Sequence, residues 1–235
     1  MLTRGQPVTR GRRTLAFGAA LVLALAATGP AAADEAGNAA LAALEQRLLD
    51  APRIQLGFDI RAVGAVQAAL SGSASLGPGN DARIIADGSF DGAPAAITLD
   101  ADGETMGGGN GDARFEDDAP PALREGMIIG LIRMGLLHNL AVLSSGAPPE
   151  KTDGTVRDWV TYGDVTIEPD EIVGGLTTRR LRFAVIVGGQ PAAIAELWVD
   201  AKTGLPVRRV QVVNFDGGEM RVLEQYPEFS TGGTG

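Results

Sequence analysis

The run Glu196-Leu197-Trp198-Val199-Asp200-Ala201-Lys202-Thr203-Gly204-Leu205-Pro206-Val207-Arg208-Arg209 reads as a strand, a turn and the opening of a second strand. Gly204 supplies the backbone freedom of the turn, and Pro206 stands at a strand start, where its missing N–H does least harm. The pattern continues on both sides. Residues 193–199, 207–215 and 219–226 read as strands, with Asp216-Gly217-Gly218 as a tight hairpin between the last two. Upstream, Leu181, Phe183, Val185 and Val187 alternate with Arg180 and Arg182, the period of a half-buried strand. The C-terminal half is therefore an antiparallel meander.

The N-terminal half repeats the theme. Asn38 is placed to cap an amphipathic helix carrying Leu41, Leu44 and Leu48, which Pro52 closes. Ile54, Leu56, Phe58, Ile60 and Ala62 then alternate with Gln55, Gly57, Asp59 and Arg61. Gly77-Pro78-Gly79-Asn80-Asp81 is a turn, residues 83–90 a strand with Ile84, Ala86 and Phe90 on one face, and residues 95–100 its return after Asp91-Gly92-Ala93-Pro94. Gly107-Gly108-Gly109-Asn110-Gly111 reads as a flexible loop, followed by an acidic patch (Glu116, Asp117, Asp118) and Pro120-Pro121. Residues 144–155 read as a surface loop.

Between the two halves lies one strongly apolar segment, residues 125–143. On a helical wheel Arg124, Glu125, His138 and Asn139 share an arc, and Met127, Ile129, Leu137, Leu140 and Ala141 fill the rest. Such a helix is buried in protein or spans a membrane. Arg133 lies opposite the polar arc and would cost roughly 2.5–3.5 kcal/mol at a bilayer centre. A helix enclosed by a curved sheet is the expectation, with Gly130 and Gly135 permitting close approach or a break.

The run 196–209, continued by Phe215-Asp216-Gly217-Gly218-Glu219-Met220 and Glu224-Gln225-Tyr226, resembles the lipoprotein-carrier superfamily (LolA/LolB-like). The helix-then-strand of residues 41–60 and the turn Asp102-Gly103-Glu104-Thr105 are similar to that family too. The likeness follows most of the mature chain in element order, and about thirty C-terminal residues in sequence. It implies an α+β fold, an incomplete antiparallel β-barrel (half-barrel) closed by helices, with a cavity that holds acyl chains. Members line that cavity with many aromatics, whereas aromatics are 5% of this chain. The residues expected to line such a cavity are Phe58, Ile60, Phe90, Met127, Leu131, Met134, Leu137, Phe183, Trp198 and Met220. Arg133 is the candidate gate, binding a lipid carboxylate or a loop carbonyl. Set beside that is a structural ion pair to Glu or Asp.

The N-terminus bears on location. Arg4, Arg10, Arg12 and Arg13 precede an apolar run over residues 15–27, and Ala31-Ala32-Ala33 stands ahead of Asp34. This order is that of a secretory signal peptide, and the run is short of the roughly 20 residues a bilayer requires. Arg12-Arg13-Thr14-Leu15 also resembles a twin-arginine signal, against which an ordinary leader is weighed. The expected organisation is a leader at 1–33, a single domain at 34–229 and a disordered tail at 230–235.

The chain has no cysteine, so disulfides, thiolate metal sites and a lipid-bearing cleavage-site Cys are excluded. Its formal charge is −9, and becomes four units more negative without the leader arginines. That charge opposes nucleic acid and anionic membrane surfaces. These readings imply a periplasmic, soluble, unanchored protein with no transmembrane segment in its mature chain. The partner expected is a lipid or acylated lipoprotein, or alternatively an envelope protein recognised by a sensor or adaptor of the same fold.

Catalytic chemistry finds little support. His138 is the single histidine, with no G-x-S-x-G nucleophile in the chain, and reads as a helix-surface or core residue. Asp100-Ala101-Asp102-Gly103-Glu104 has the look of a calcium loop, but Gly111 stands where the bidentate Glu belongs. The glycine run lacks the Lys-Ser/Thr of a phosphate loop. No enzyme activity, metal or cofactor is implied.

Overall fold

The computed structural model describes residues 35–148, 155–215 and 218–232. The leader reading, the Asp216-Gly217 step of the predicted hairpin and most of the loop ahead of Thr155 lie outside the described residues.

Alternation becomes sheet as expected. Strands β1 (Ile54–Gly64), β2 (Ala68–Leu76), β3 (Asp81–Phe90), β4 (Ala93–Asp102), β5 (Thr105–Asn110) and β6 (Ala113–Asp118) run as a meander. After the helices come β7 (Val160–Tyr162), β8 (Thr166–Val173), β9 (Leu176–Val187), β10 (Gln190–Asp200), β11 (Pro206–Phe215) and β12 (Gly218–Thr231). The last strand returns to pair with the first, so one 12-stranded sheet runs β6-β5-β4-β3-β2-β1-β12-β11-β10-β9-β7, with β8 also on β9. Every pairing is antiparallel. The two ends of this sheet do not pair with each other, so it is unclosed.

The inner face is the apolar phase of each strand: Leu56, Phe58 and Ile60 on β1, Ile84 and Ala86 on β3, Ile97 and Leu99 on β4, and Leu181, Phe183 and Val185 on β9 are buried. Helices α1 (Glu35–Asp50), α2 (Leu123–Arg133) and α3 (Leu136–Ser144) and the short α4 (Val156–Trp159) accompany them. Contacts of α3 with β4, β5 and β12, of α2 with β7 and of α1 with β8 place this layer on the sheet. Met127 through Arg133 are buried on every side, as a helix apolar all round requires. Among the described residues no helix is long and apolar enough to cross a membrane.

Several expectations are corrected. Asn38 is not a cap: α1 begins at Glu35, and the Asn38 amide oxygen instead accepts the Val165 N–H at 3.0 Å. The glycine run is strand β5, paired on both sides, with only Gly111 in the following turn. Gly109 (φ 139°) would drive a Cβ to 2.0 Å from the Ala113 carbonyl, which explains the glycine there. Ser230 and Thr231, read as tail, close β12 opposite Gln55 and Ile54. Strands β2, β6, β7 and β8 have no counterpart in the sequence reading.

Candidate functional site

The apolar segment breaks at Gly135 (φ 91°), and the break is held by two buried charges. Arg209 and Glu224 stand directly opposite each other on β11 and β12, both in the inward phase and both about 1% exposed. Arg209 donates through Nη1 to the Ile132 carbonyl at 2.6 Å and through Nη2 to the Arg133 carbonyl at 2.7 Å. Its Nη2 also donates to Gln211 Oε1 at 2.6 Å. A helix leaves its last carbonyls unsatisfied and its C-terminus negative, and the guanidinium answers both. Glu224 does the converse, accepting the Leu136 N–H at 3.0 Å and the Leu137 N–H at 2.8 Å at the start of α3. The Tyr226 hydroxyl also donates to it, at 2.5 Å. Burial and the Glu224 charge raise the Tyr226 pKa well above its ordinary value, so the phenol stays protonated as that donor. A side chain at 135 would meet Glu224 Oε1 at 2.7 Å, so glycine is required by both space and backbone.

Arg133 adopts the geometry of the structural pair. Its Nε and Nη2 bind Glu45 Oε1 and Oε2 at 2.7 and 2.8 Å, its Nη1 donates to the Val160 carbonyl at 2.6 Å, and its guanidinium lies 5.0 Å from the Tyr162 ring centroid. It ties α1, α2 and β7 together, and each of its three guanidinium nitrogens is engaged within the protein. Hydrogen bonding and charge from Glu45 raise its pKa. Arg124 similarly closes α1, donating to the carbonyls of Leu49 at 2.9 Å and Ala51 at 2.5 Å.

The expected lining residues do not surround an opening. Phe58, Ile60, Met127, Leu131, Leu137, Phe183 and Met220 are packed in one continuous core, and Phe90 and Met134 lie half-buried at its margin. Trp198 is on the other face of the sheet. Its neighbour Leu197 points inward with Ala195 and Ala193, while Trp198 is covered by Arg208 at 4.8 Å and Arg180 at 5.7 Å and donates its indole N–H to Glu171. The phase of Glu196, two residues earlier, was the available signal.

Among the described residues an opening between helix layer and sheet lies elsewhere, between α1 and the inner face of β9 and β10. It is a groove of about 270 Å³ lined by Ala40, Ala43, Leu44, Leu181, Val199 and Ala201, with Arg47, Arg179, Asp200 and Gly204 at its rim. It exists because α1 presents alanines here, one helical turn apart, where larger side chains would fill the gap. The turn after β10 builds one wall. Asp200 accepts the Lys202 N–H at 2.9 Å and the Thr203 hydroxyl at 2.7 Å. These bonds, the backbone one foremost, hold its carboxyl below the usual range. Gly204 (φ 66°) turns the chain, and Arg47 donates to the Thr203 carbonyl. Arg179, exposed at the rim, has no hydrogen bond or ion pair among the described residues.

Two larger concavities lie on the outer face. One of about 1010 Å³ crosses β3 to β6 and is lined by Arg83, Ile85, Asp100, Arg114, Glu116 and others. One of about 760 Å³ lies over β1, β2, β3 and β12. Both are open with polar and apolar groups mixed along their walls, and in the first Arg83 faces Asp100 at 3.9 Å and Arg114 bonds Thr98 at 3.0 Å. His138 is half-buried beside Trp159, ring centroids 5.8 Å apart, and burial lowers its pKa. Among the described residues no group of His, Asp and Glu is arranged to hold a metal.

No protein-family model matches this chain. No curated protein matches it either. Solved structures are similar to it at low identity. A crystal structure of MucB matches at 19% identity with a TM-score of 0.44, over 88% of this chain and 62% of that one. The MucA/MucB complex of Pseudomonas aeruginosa matches at 18% identity and a TM-score of 0.40, over 85% of this chain and 58% of that one. A LolA superfamily protein from Nitrosomonas europaea matches at 8% identity and a TM-score of 0.34, over 85% and 94% of the two chains. The chain thus spans about three fifths of the MucB chains it matches.

Proposed function

We propose that this chain is an exported, non-catalytic binding protein that takes an acyl chain, of a lipid or an acylated lipoprotein, into the groove between α1 and the β9–β10 strands. One observation carries the reading: an apolar floor of Ala40, Ala43, Leu44, Leu181 and Val199 with the two cations Arg47 and Arg179 at its rim. The floor suits methylenes, and the arginines suit a carboxylate or phosphate at the chain's head. The volume is near the lower end of the roughly 300–1,000 Å³ of ligand pockets, so one slender chain segment is the matching occupant. Periplasmic location belongs to the same proposal and draws on the leader pattern of residues 1–33. Protein purified from its native envelope and extracted for mass spectrometry should yield fatty acyl species near one per chain. Protein that carries none and takes up none from lipid-loaded detergent would retire the reading.

A further inference from the structure

The outer face of β9 to β12 and β1 shows a pattern that the groove does not use. Strand register arranges it in rows. Ile194 stands opposite Val212, Val212 opposite Arg221, and Arg221 opposite Val63. In the next row Arg182 faces Glu196, Glu196 faces Val210, Val210 faces Leu223, and Leu223 faces Arg61. In the third, Trp198 faces Arg208, and Gln225 separates Arg208 from Asp59. Neighbouring strands are about 4.8 Å apart, so the valines, Leu223 and Ile194 form one apolar strip across four strands, with arginines along it. Val63 is 62% exposed and Ile194 39% exposed.

Three of the cations on this strip are unspent. Arg182 and Arg180 share Glu196 at 3.8 and 3.7 Å. Among the described residues Arg61 and Arg221 have neither hydrogen bond nor ion pair, and Arg208 has only the Trp198 ring, its Nε buried without a partner. The acids of this face are Glu196, held between Arg180 and Arg182, with Asp59 in the third row and Glu219 beyond the first. A strip with three uncommitted arginines is unexpected in a chain of net charge −9.

We infer that this strip docks a short acidic segment of a partner protein, its apolar side chains over Val212, Leu223 and Ile194 and its carboxylates on Arg61, Arg208 and Arg221. Charge complementarity selects the occupant. A peptide segment senses charges within the roughly 8–10 Å of the screening length, where the three arginines without an ion pair outnumber Asp59 and Glu219. A plane of anionic headgroups would also face the acidic remainder of the molecule. The site lies on the opposite side of β9 and β10 from the groove and stands independently of the acyl proposal.

Fluorescence anisotropy with a labelled peptide alternating Glu with Val and Leu, and with its Lys counterpart, tests this on the whole mature protein. The Glu peptide should bind, more weakly as salt rises, and the Lys peptide should not. The double variant Arg61→Glu, Arg221→Glu should bind at least tenfold more weakly at an unchanged melting temperature. If the reversed double melts lower, Arg61→Gln, Arg221→Gln replaces it. Equal binding of both peptides, no binding of the Glu peptide, or binding untouched by the double variant overturns the proposal. So does arginine-dependent binding to phosphatidylglycerol vesicles in preference to the peptide.

Discussion

Replacing Arg133 by Leu removes the cation from a pair whose side chains are 9% and 6% exposed. Leucine suits the helix and its apolar surroundings, so the lost energy reports the interactions themselves. What remains is the Glu45 carboxylate stripped of its two guanidinium bonds, and a Val160 carbonyl without its donor. Breaking a buried pair from one side costs about 3–5 kcal/mol. For a domain of this size about 2–4 °C accompany each kcal/mol, so the melting temperature should fall by roughly 6–20 °C. The companion variant Glu45→Leu, Arg133→Leu removes the stranded charge as well. It should recover about half of the loss, leaving a deficit of about 1–3 kcal/mol for the Val160 carbonyl. Urea unfolding of wild type, both singles and the double closes the cycle. A loss under about 1 kcal/mol in Arg133→Leu, or a double no more stable than that single, would refute the structural role assigned to the pair.

Gly135→Ala should destabilise by at least about 1–3 kcal/mol, the cost of a strained left-handed backbone, because its Cβ also meets Glu224 Oε1 at 2.7 Å; chemical denaturation measures it. Glu224→Gln keeps one acceptor but presents an amide to the α3 N–H groups. It should lose about 1.5–3 kcal/mol, the value of hydrogen bonds to a charged group, whereas no loss would mean that backbone alone sets the break. His138 gives a pH signature: burial lowers its folded pKa beneath the ordinary 6.5, so the unfolded chain binds the extra proton first. Its contribution is full above about pH 6.5 and is lost as pH falls through the depressed folded value. His138→Gln should therefore flatten the decline of melting temperature on that acid side, and an unchanged profile would assign the decline to other groups.

Strong alternation made most of the sheet legible, and the all-round apolar segment correctly implied a helix enclosed in protein. Its break was legible at Gly135, but not what holds it. Arg209 and Glu224 lie in the apolar phases of β11 and β12, and a charge in that phase signals a buried polar partner. The partner itself sits 76 to 88 residues away and depends on register, which no local pattern reveals. Strand β2 (Ala68–Leu76) is rich in Ala, Ser and Gly, and β5 in Gly. Neither has strand propensity, and pairing on both sides overrides it. The groove is not legible in sequence because it is made by what Ala40 and Ala43 lack, whereas the large apolar residues, which carry the sequence signal, fill the core.

The central claim is acyl binding at α1, and titration with a fluorescent fatty acid tests it most directly. Burying about six methylenes contributes roughly 5 kcal/mol and one arginine–carboxylate bond about 1.5–3, so dissociation constants of about 1–20 micromolar are expected. Wild type should saturate at one equivalent. Ala43→Trp, which fills the exposed side of the groove, and Arg179→Glu, which reverses its rim, should each weaken binding at least tenfold with unchanged melting temperatures. Binding that is absent in the wild type, or present and indifferent to both substitutions, would contradict the account.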